Sequence, residues 1–315
     1  MRRVSPNVVA PRGSDFTVGT RGSALALWQT RHVSALLAPA QITERIITTK
    51  GDVSQAEKLA GKLEKGFFTE ELEHALREKE IDWAVHSLKD LPTRNPQGLV
   101  LGAVLERAPA ADLLLVRTEK VDETMLLPLV PGARVGSSSL RRESMVKHFA
   151  PRAVPVPLRG NVPTRVQKLK DGQFDAILLA EAGVTRLQLD LSGLAVFRLN
   201  PTRWPCAPGQ GAVAVQCRGD DEEVQQLLAK IHHAPTARAV NLERDFLRVL
   251  EGGCTTPFGC FIDGQKASLG LSTDEGWRRR TVTLTDDAGP AWLQARLDEL
   301  KTSQEESNDW LTRRI

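Results

Sequence analysis

The feature that most constrains this chain is an alternation of short apolar runs with helix-patterned stretches. It fills the first two thirds of the sequence and starts afresh once on the way. Phe16-Thr17-Val18-Gly19 reads as a strand, and a helix opens near Gly22-Ser23. A strand follows at 42–48, then a helix from Phe67 to about Lys79, then strands at 81–85 and 99–105. After the loop 106–111 the grammar returns, with strands at 112–116, 134–136, 154–158 and 175–179 and helices at 140–149, 162–170 and 182–189. Such a succession predicts a doubly wound α/β sheet in each half. Pro201, Pro205 and Pro208 then break the pattern, and Gly209-Gln210-Gly211 leads into a strand at 212–217. A long helix is predicted over 220–250. Strands at 268–271 and 281–284 and a closing helix make a small α+β unit, so three domains are expected.

Composition narrows the classes. Hydrophobic residues are 41% and charged residues 26% of 315, ordinary globular usage. No run reaches the ~18 apolar residues of a membrane span. Cys206, Cys217, Cys254 and Cys260 show neither CxxC spacing nor a zinc-like grouping, so no metal is expected. The N-terminus lacks the apolar stretch of a signal peptide, and the expectation is a soluble, reduced, cytoplasmic protein. The 42 basic residues divide into 29 Arg and 13 Lys at a net charge of +3. Arg suits bidentate recognition of carboxylate or phosphate. Genomic base composition accounts for the total equally well, so the information lies in where the arginines fall.

Four segments could carry chemistry. Gly19-Thr20-Arg21-Gly22-Ser23 joins a strand to a helix; Ser23, Arg21 and the free N–H groups there form either an anion site or a plain helix cap. His86-Ser87-Leu88-Lys89-Asp90-Leu91-Pro92 ends a predicted strand, where open α/β sheets bind ligands. Lys89 offers positive charge and Asp90 can move a proton, or the two form a surface ion pair with His86 packed nearby. Arg141 and Arg142 after Ser139, then Arg159 beside Gly160, Arg165 and Arg186 each fall where a strand gives way to a helix or in the first turn of one, as a shared site or as independent surface arginines. If strand ends converge, these arginines line one cleft for a ligand with several carboxylates or phosphates. The near-balanced charge and scarce aromatics count against a nucleic-acid surface. Glu251-Gly252-Gly253-Cys254 puts a thiol beside two glycines, either on an open loop or as a buried filler.

Together these segments resemble the porphobilinogen deaminase (hydroxymethylbilane synthase) family from about residue 16 to at least 262. The carriers are GTRGSALALWQ, TTKGD, KGFFTEELEHAL, DWAVHSLKDLPT, VGSSSLRR, LRGNVPTRVQKLKDGQFDAILLAEAGVTRL, PGQGAVAVQCR and EGGCTTPFG. The resemblance implies two periplasmic-binding-protein-like doubly wound domains (residues 1–107 with 203–222, and 108–202) and a small α+β third domain (223–315). It implies a dipyrromethane cofactor on Cys254 through a thioether, and porphobilinogen as substrate of a monomer that binds neither nucleic acid nor membrane. It assigns Asp90 as the catalytic carboxylate. Lys89, Ser139, Arg141, Arg142, Asp112 and Gly160 would hold the cofactor, and Arg21, Ser23, Arg159, Arg165 and Arg186 the substrate. Ala111 (where the family usually has Arg), Glu64, Pro163 and Gln216 depart from its pattern; none touches Asp90 or Cys254, so an active enzyme is expected, with chain translocation or release as the steps open to change. A non-catalytic carboxylate binder is the reading from another class, which a two-lobed fold alone permits.

Overall fold

The computed structural model describes residues 15–49, 69–250, 257–285, 288–302 and 313–314. Glu64 and Cys254 lie outside these residues.

The first sheet contains β1 (Asp15–Thr20), β2 (Gln41–Ile46), β3 (Trp83–Ser87), β4 (Leu99–Val104) and β10 (Val213–Arg218), in the order β2-β1-β3-β10-β4. β1 pairs parallel with β2 and β3, and β10 runs antiparallel to β3 and β4. Helices cover both faces. On one, Val33 of α1 (Ala24–Leu36) packs with Phe16, Val18, Trp83 and Val85. On the other, Leu72 and Leu76 of α2 (Glu70–Arg77) pack with Ile81 and Ala84.

The second sheet has the order β14-β9-β5-β8-β6-β7. Its strands are β5 (Asp112–Arg117), β6 (Arg134–Ser137), β7 (Val154–Pro157), β8 (Ala176–Ala180), β9 (Leu194–Leu199) and β14 (Arg313–Arg314). Leu114 and Val116 of β5 face α3 (Leu140–Phe149), whereas Leu113 and Leu115 face α4 (Val162–Lys170). This two-residue period explains why the run DLLLVR is apolar throughout: both faces are buried. α5 (Glu181–Arg186) follows β8 directly.

Read from sequence, 220–250 is one helix. The structure divides it into α6 (Glu222–Ala229) and α7 (Ala234–Val249). Pro235 sits in the first turn of α7, where its missing N–H costs nothing, and the His233 side chain accepts from the Thr236 amide at 3.3 Å. A boundary at 222/223 assigns α6 to the third unit, but its Val224 and Leu228 pack in the core of the first sheet. The third sheet is an antiparallel meander of β11 (Phe258–Asp263), β12 (Lys266–Thr273) and β13 (Gly276–Thr283), closed by Phe246 of α7 and by Leu293, Leu297 and Leu300 of α8 (Pro290–Thr302). Neither β9 nor β11 is anticipated from sequence.

The chain passes between the two large sheets twice, through 105–111 and 200–212. Both crossovers leave and enter at the edge where the parallel strands end. Val213 opposes Ser87 in the first sheet, and Asp112 opposes Ala180 and Leu199 in the second. The two strand-end edges therefore face each other across the hinge. Gly211 (φ +88°) lets the crossovers touch: its carbonyl accepts from Ala108 N at 3.1 Å, and a Cβ there would lie 2.4 Å from Ala108 O. Arg107 ties the hinge to the third unit through Glu243, with Nη1–Oε1 2.7 Å and Nη2–Oε2 3.0 Å. The same fully buried carboxylate accepts from Gly209 N and Ile262 N.

Removing one partner of a buried ion pair leaves the other charge uncompensated. Glu243→Ala should cost about 3–5 kcal/mol of stability in denaturant unfolding. A loss under ~1 kcal/mol would show that water or another acceptor takes over Arg107.

Candidate active site

Local sequence rules place the first groups. Ser23 has an extended backbone and caps α1, its Oγ accepting from Ala26 N at 3.3 Å. Arg21, two residues earlier, is half-buried, and its charge lies close enough to act on His86. Burial first, and Arg21 second, push the His86 imidazole down to about 4. After β3 the chain makes a single 3-10 turn, Leu88–Asp90, held at Leu88 N by Ala212 O. Leu88 fills the core, Lys89 is half-buried and Asp90 is exposed at the strand end.

On the facing edge, Arg141 and Arg142 occupy the first turn of α3. Both are buried, and both turn inward to Asp112 at the start of β5. Arg141 Nη2 donates to Asp112 Oδ2 at 2.8 Å, and Arg142 Nη2 to Oδ1 at 2.6 Å. Trp204 Nε1 donates to Oδ2 at 2.9 Å and Gln210 Nε2 to Oδ1 at 2.8 Å. The two guanidiniums hold the Asp112 carboxyl far below the usual carboxylate range despite complete burial. Arg141 also donates to Pro205 O and Arg142 to Leu178 O.

Arg159 follows β7 and is exposed, its carbonyl accepting from Lys168 Nζ. Gly160 takes φ +116°, and its carbonyl accepts from Arg165 Nε at 2.7 Å. Arg186, at the end of α5, donates to Gly211 O at 2.7 Å and lies 5.5 Å over the Trp28 ring of α1. Ser139 precedes α3 without a side-chain cap, its amide donating to Ser137 Oγ.

Charge coupling identifies which of these groups meet. Lys89 responds, after burial, to Asp90, Arg142, Asp112 and Arg141. Arg165 responds to Arg142 and Asp90, and burial brings it down to about 10. Lys89 thus lies within electrostatic reach of Asp90 and of the Asp112–Arg141–Arg142 cluster, and Arg165 of Asp90 and Arg142. Arg21 and Ser23 stand at the end of β1, Arg159 and Gly160 at the end of β7, and Arg186 at the α1–α5 contact. Among the described residues, five arginine Nε–H groups are buried without an acceptor, and those of Arg141, Arg142 and Arg186 lie at this edge. Buried donors of this kind need partners.

Trp204 and Gln210 are contributions that the sequence did not disclose. Both reach Asp112 from about a hundred residues away, and only the Gly209-Gln210-Gly211 turn marked the place. Of the departures, Ala111 is fully buried, its carbonyl accepting from Glu181 N and Gln210 Nε2. Pro163 sits in the first turn of α4, a position that tolerates it. Gln216 is buried on β10 opposite Ala84, two pairs along from the residue opposite His86.

A family model described as "Porphobilinogen deaminase, dipyromethane cofactor binding domain" matches residues 16–226. Relatives named porphobilinogen deaminase include one from Desulforamulus reducens, 46% identical over 266 residues, covering 82% of each chain. Those from Carboxydothermus hydrogenoformans and Synechococcus elongatus are 44% and 42% identical, covering 82% and 84% of each chain. Among solved structures, the Bordetella pertussis BvgS periplasmic VFT2 domain aligns with a TM-score of 0.42 at 15% identity, over 73% of this chain and 92% of that one. The doubly wound character of both large sheets stands on their own strand order and packing.

Two outcomes test the electrostatics. Asp112→Asn leaves two buried guanidiniums without a counter-charge and should cost about 3–5 kcal/mol by denaturant unfolding. His86 is held below its unfolded value, so the folded state binds fewer protons than the unfolded chain between about pH 6.5 and 4. Its contribution is therefore neutral above that window, grows more destabilising as pH falls through it, and levels off below it at roughly 3 kcal/mol. His86→Gln should flatten the fall of stability across pH 6.5–4; an unchanged slope would place the titrating group elsewhere.

Proposed function

The chain belongs to the porphobilinogen deaminase family, and from that premise we propose which of its residues carry the reaction. The enzyme is a transferase of tetrapyrrole biosynthesis. It deaminates porphobilinogen, joins four units head to tail onto a covalently held dipyrromethane primer, and releases hydroxymethylbilane and ammonia. The observation that carries the residue assignment is that Lys89 and Arg165 both lie within electrostatic reach of Asp90 and of Arg142, which with Arg141 is held by Asp112 on the facing edge.

Each pyrrole of the substrate bears an acetate and a propionate, so a growing chain is a polyanion. The cationic edge fits such a group. Cys254 would hold the dipyrromethane through its sulfur. When bound, that group supplies a nucleophilic pyrrole carbon. Lys89, Ser139, Arg141, Arg142 and Gly160 would hold its carboxylates, with Asp112 acting one layer behind by fixing both guanidiniums. Arg21, Ser23, Arg159, Arg165 and Arg186 would take the carboxylates of porphobilinogen. Ser23 Oγ already accepts from the helix, which leaves its hydroxyl hydrogen for a ligand oxygen.

Asp90 is the proton-handling group of this reading. Loss of ammonia leaves a cation delocalised over the substrate's pyrrole ring and N–H. An anionic carboxylate at the open strand end stabilises that charge. It then accepts the proton that leaves when the new carbon–carbon bond has formed and the ring regains aromaticity. General acid–base help of this kind is worth ~10²–10⁴-fold. We extend the reading to a cytoplasmic monomer whose lobes and third unit divide broadly as the sequence suggested, with α6 belonging to the first lobe. Among the described residues, no helix is long and apolar enough to cross a membrane.

Ehrlich's reagent should colour the purified protein, intact mass should show a dipyrromethane adduct, and Cys254→Ser should abolish both. Folded protein without colour or adduct would overturn the cofactor assignment. Asp90→Asn should keep the adduct and lose at least ~100-fold in turnover; a parental rate would remove Asp90 from the mechanism.

A further inference from the structure

We propose that Gln210 is a positioning residue: its amide couples Lys89, and with it the turn that carries Asp90, across the hinge to the Asp112–Arg141–Arg142 cluster. The inference rests on the site reading above and deepens it.

The geometry is that of a cross-link between lobes. Gln210 is almost completely buried in the second crossover. Its Oε1 accepts from Lys89 Nζ at 3.4 Å, on the 3-10 turn of the first sheet. Its Nε2 donates to Ala110 O at 2.8 Å and to Asp112 Oδ1 at 2.8 Å, on the strand entering the second sheet, with Ala111 O at 3.3 Å. Three acceptors face the nitrogen and a cation faces the oxygen, which fixes the amide in one orientation. A carboxylate at this position could meet Lys89 but could not donate to Asp112. An apolar side chain could do neither.

The backbone of the same residue is equally constrained. Its carbonyl accepts from Arg107 Nε at 2.8 Å and its amide donates to Ala207 O at 2.9 Å. Gly209 and Gly211, both at positive φ, give the turn around it. The side chain therefore projects from a fixed point on the hinge and reaches both strand-end edges at once. Asp90 is adjacent to Lys89 on a turn of three residues, so placing Lys89 also places Asp90 against the arginines of the second lobe. Misplacing a reacting group by about an ångström costs on the order of 10²-fold in rate. An amide that sets this separation acts on turnover more than on carboxylate affinity, which the guanidiniums supply.

The test uses the holoenzyme with its adduct confirmed by intact mass. Gln210→Met should lower kcat at least tenfold while KM changes less than threefold. Acetic anhydride should label Lys89 at least threefold faster in Gln210→Met, because its ammonium loses an acceptor. Gln210→Glu keeps the volume and the Lys89 contact and loses the donors to Asp112. It should label Lys89 more slowly than the parent yet also lose at least tenfold in kcat, and it carries the test if Gln210→Met does not fold. Lys89→Met combined with Gln210→Met should be little worse than the poorer single variant, since the two act as one unit. Turnover within twofold of the parent in a folded Gln210 variant, or losses that multiply in the double variant, would overturn the proposal. Asp90→Asn measured alongside separates the two levels. A parental rate there sinks the site reading itself, whereas inactive Asp90→Asn with fully active Gln210→Met sinks only the role of Gln210.

Discussion

The carboxylate of Asp112 is the interaction on which the facing edges depend. It is fully buried and accepts from two guanidiniums, an indole and an amide, so each oxygen has two donors. Burying an isolated carboxylate is prohibitive, and burying two guanidiniums without an anion equally so. Each is tolerable because of the other. A buried pair of this kind is weak evidence of net stability, but it is a strong constraint on geometry: breaking any one member strands the rest. Arg141 and Arg142 come from the α3 turn, Trp204 and Gln210 from the second crossover, and Asp112 from the first strand after the other crossover. The anion therefore sets where the helix start lies relative to the hinge.

A second buried carboxylate does the same for the third unit. Glu243 gathers Arg107, Gly209 N and Ile262 N, so the hinge, the Gly-Gln-Gly turn and β11 share one anchor. Gln210 lies between these anchors, with its carbonyl on Arg107 and its amide on Asp112. Two anions buried at the hinge and one amide between them hold three packed units in register, although the crossovers themselves have no regular structure.

What the sequence disclosed and what it hid divide along the range of the interactions. The strand–helix alternation, the cap at Ser23 and the start of α3 at Leu140 are written in neighbouring residues, and they appear in the structure close to where local rules put them. The placing of Arg141, Arg159 and Arg165 after parallel strands was legible too, because the chain direction of a doubly wound sheet forces those junctions to one edge, whereas Arg186 closes α5 instead of opening it. The inward turn of Arg141 and Arg142 was not. It depends on Asp112 and Trp204, far away in sequence, and an Arg facing a ligand reads the same as an Arg facing a buried carboxylate. The break between α6 and α7 has a local mark in Pro235, which fits the first turn of a helix but not its interior. β9 and β11 are short apolar runs without flanking periodicity, which local pattern cannot assign.

The arginines then separate by what neutralises them. Arg107 is buried against Glu243, and its pKa rises above the ordinary value because the anion outweighs burial. Arg165 and Arg186 are partly buried, donate only to backbone carbonyls in the hydrogen bonds above, and are brought down to about 10 by burial. They remain protonated at neutral pH, so the unfavourable desolvation persists in the protein alone. An arriving carboxylate reverses that penalty at both positions, whereas at Arg107 it would have to compete with Glu243. The distinction explains how a chain of nearly balanced charge can collect a polyanion. Arg107 and Arg218 are neutralised from within by Glu243 and by Asp82 with Asp221, whereas Arg165 and Arg186 have no ion pair among the described contacts and suit a ligand carboxylate.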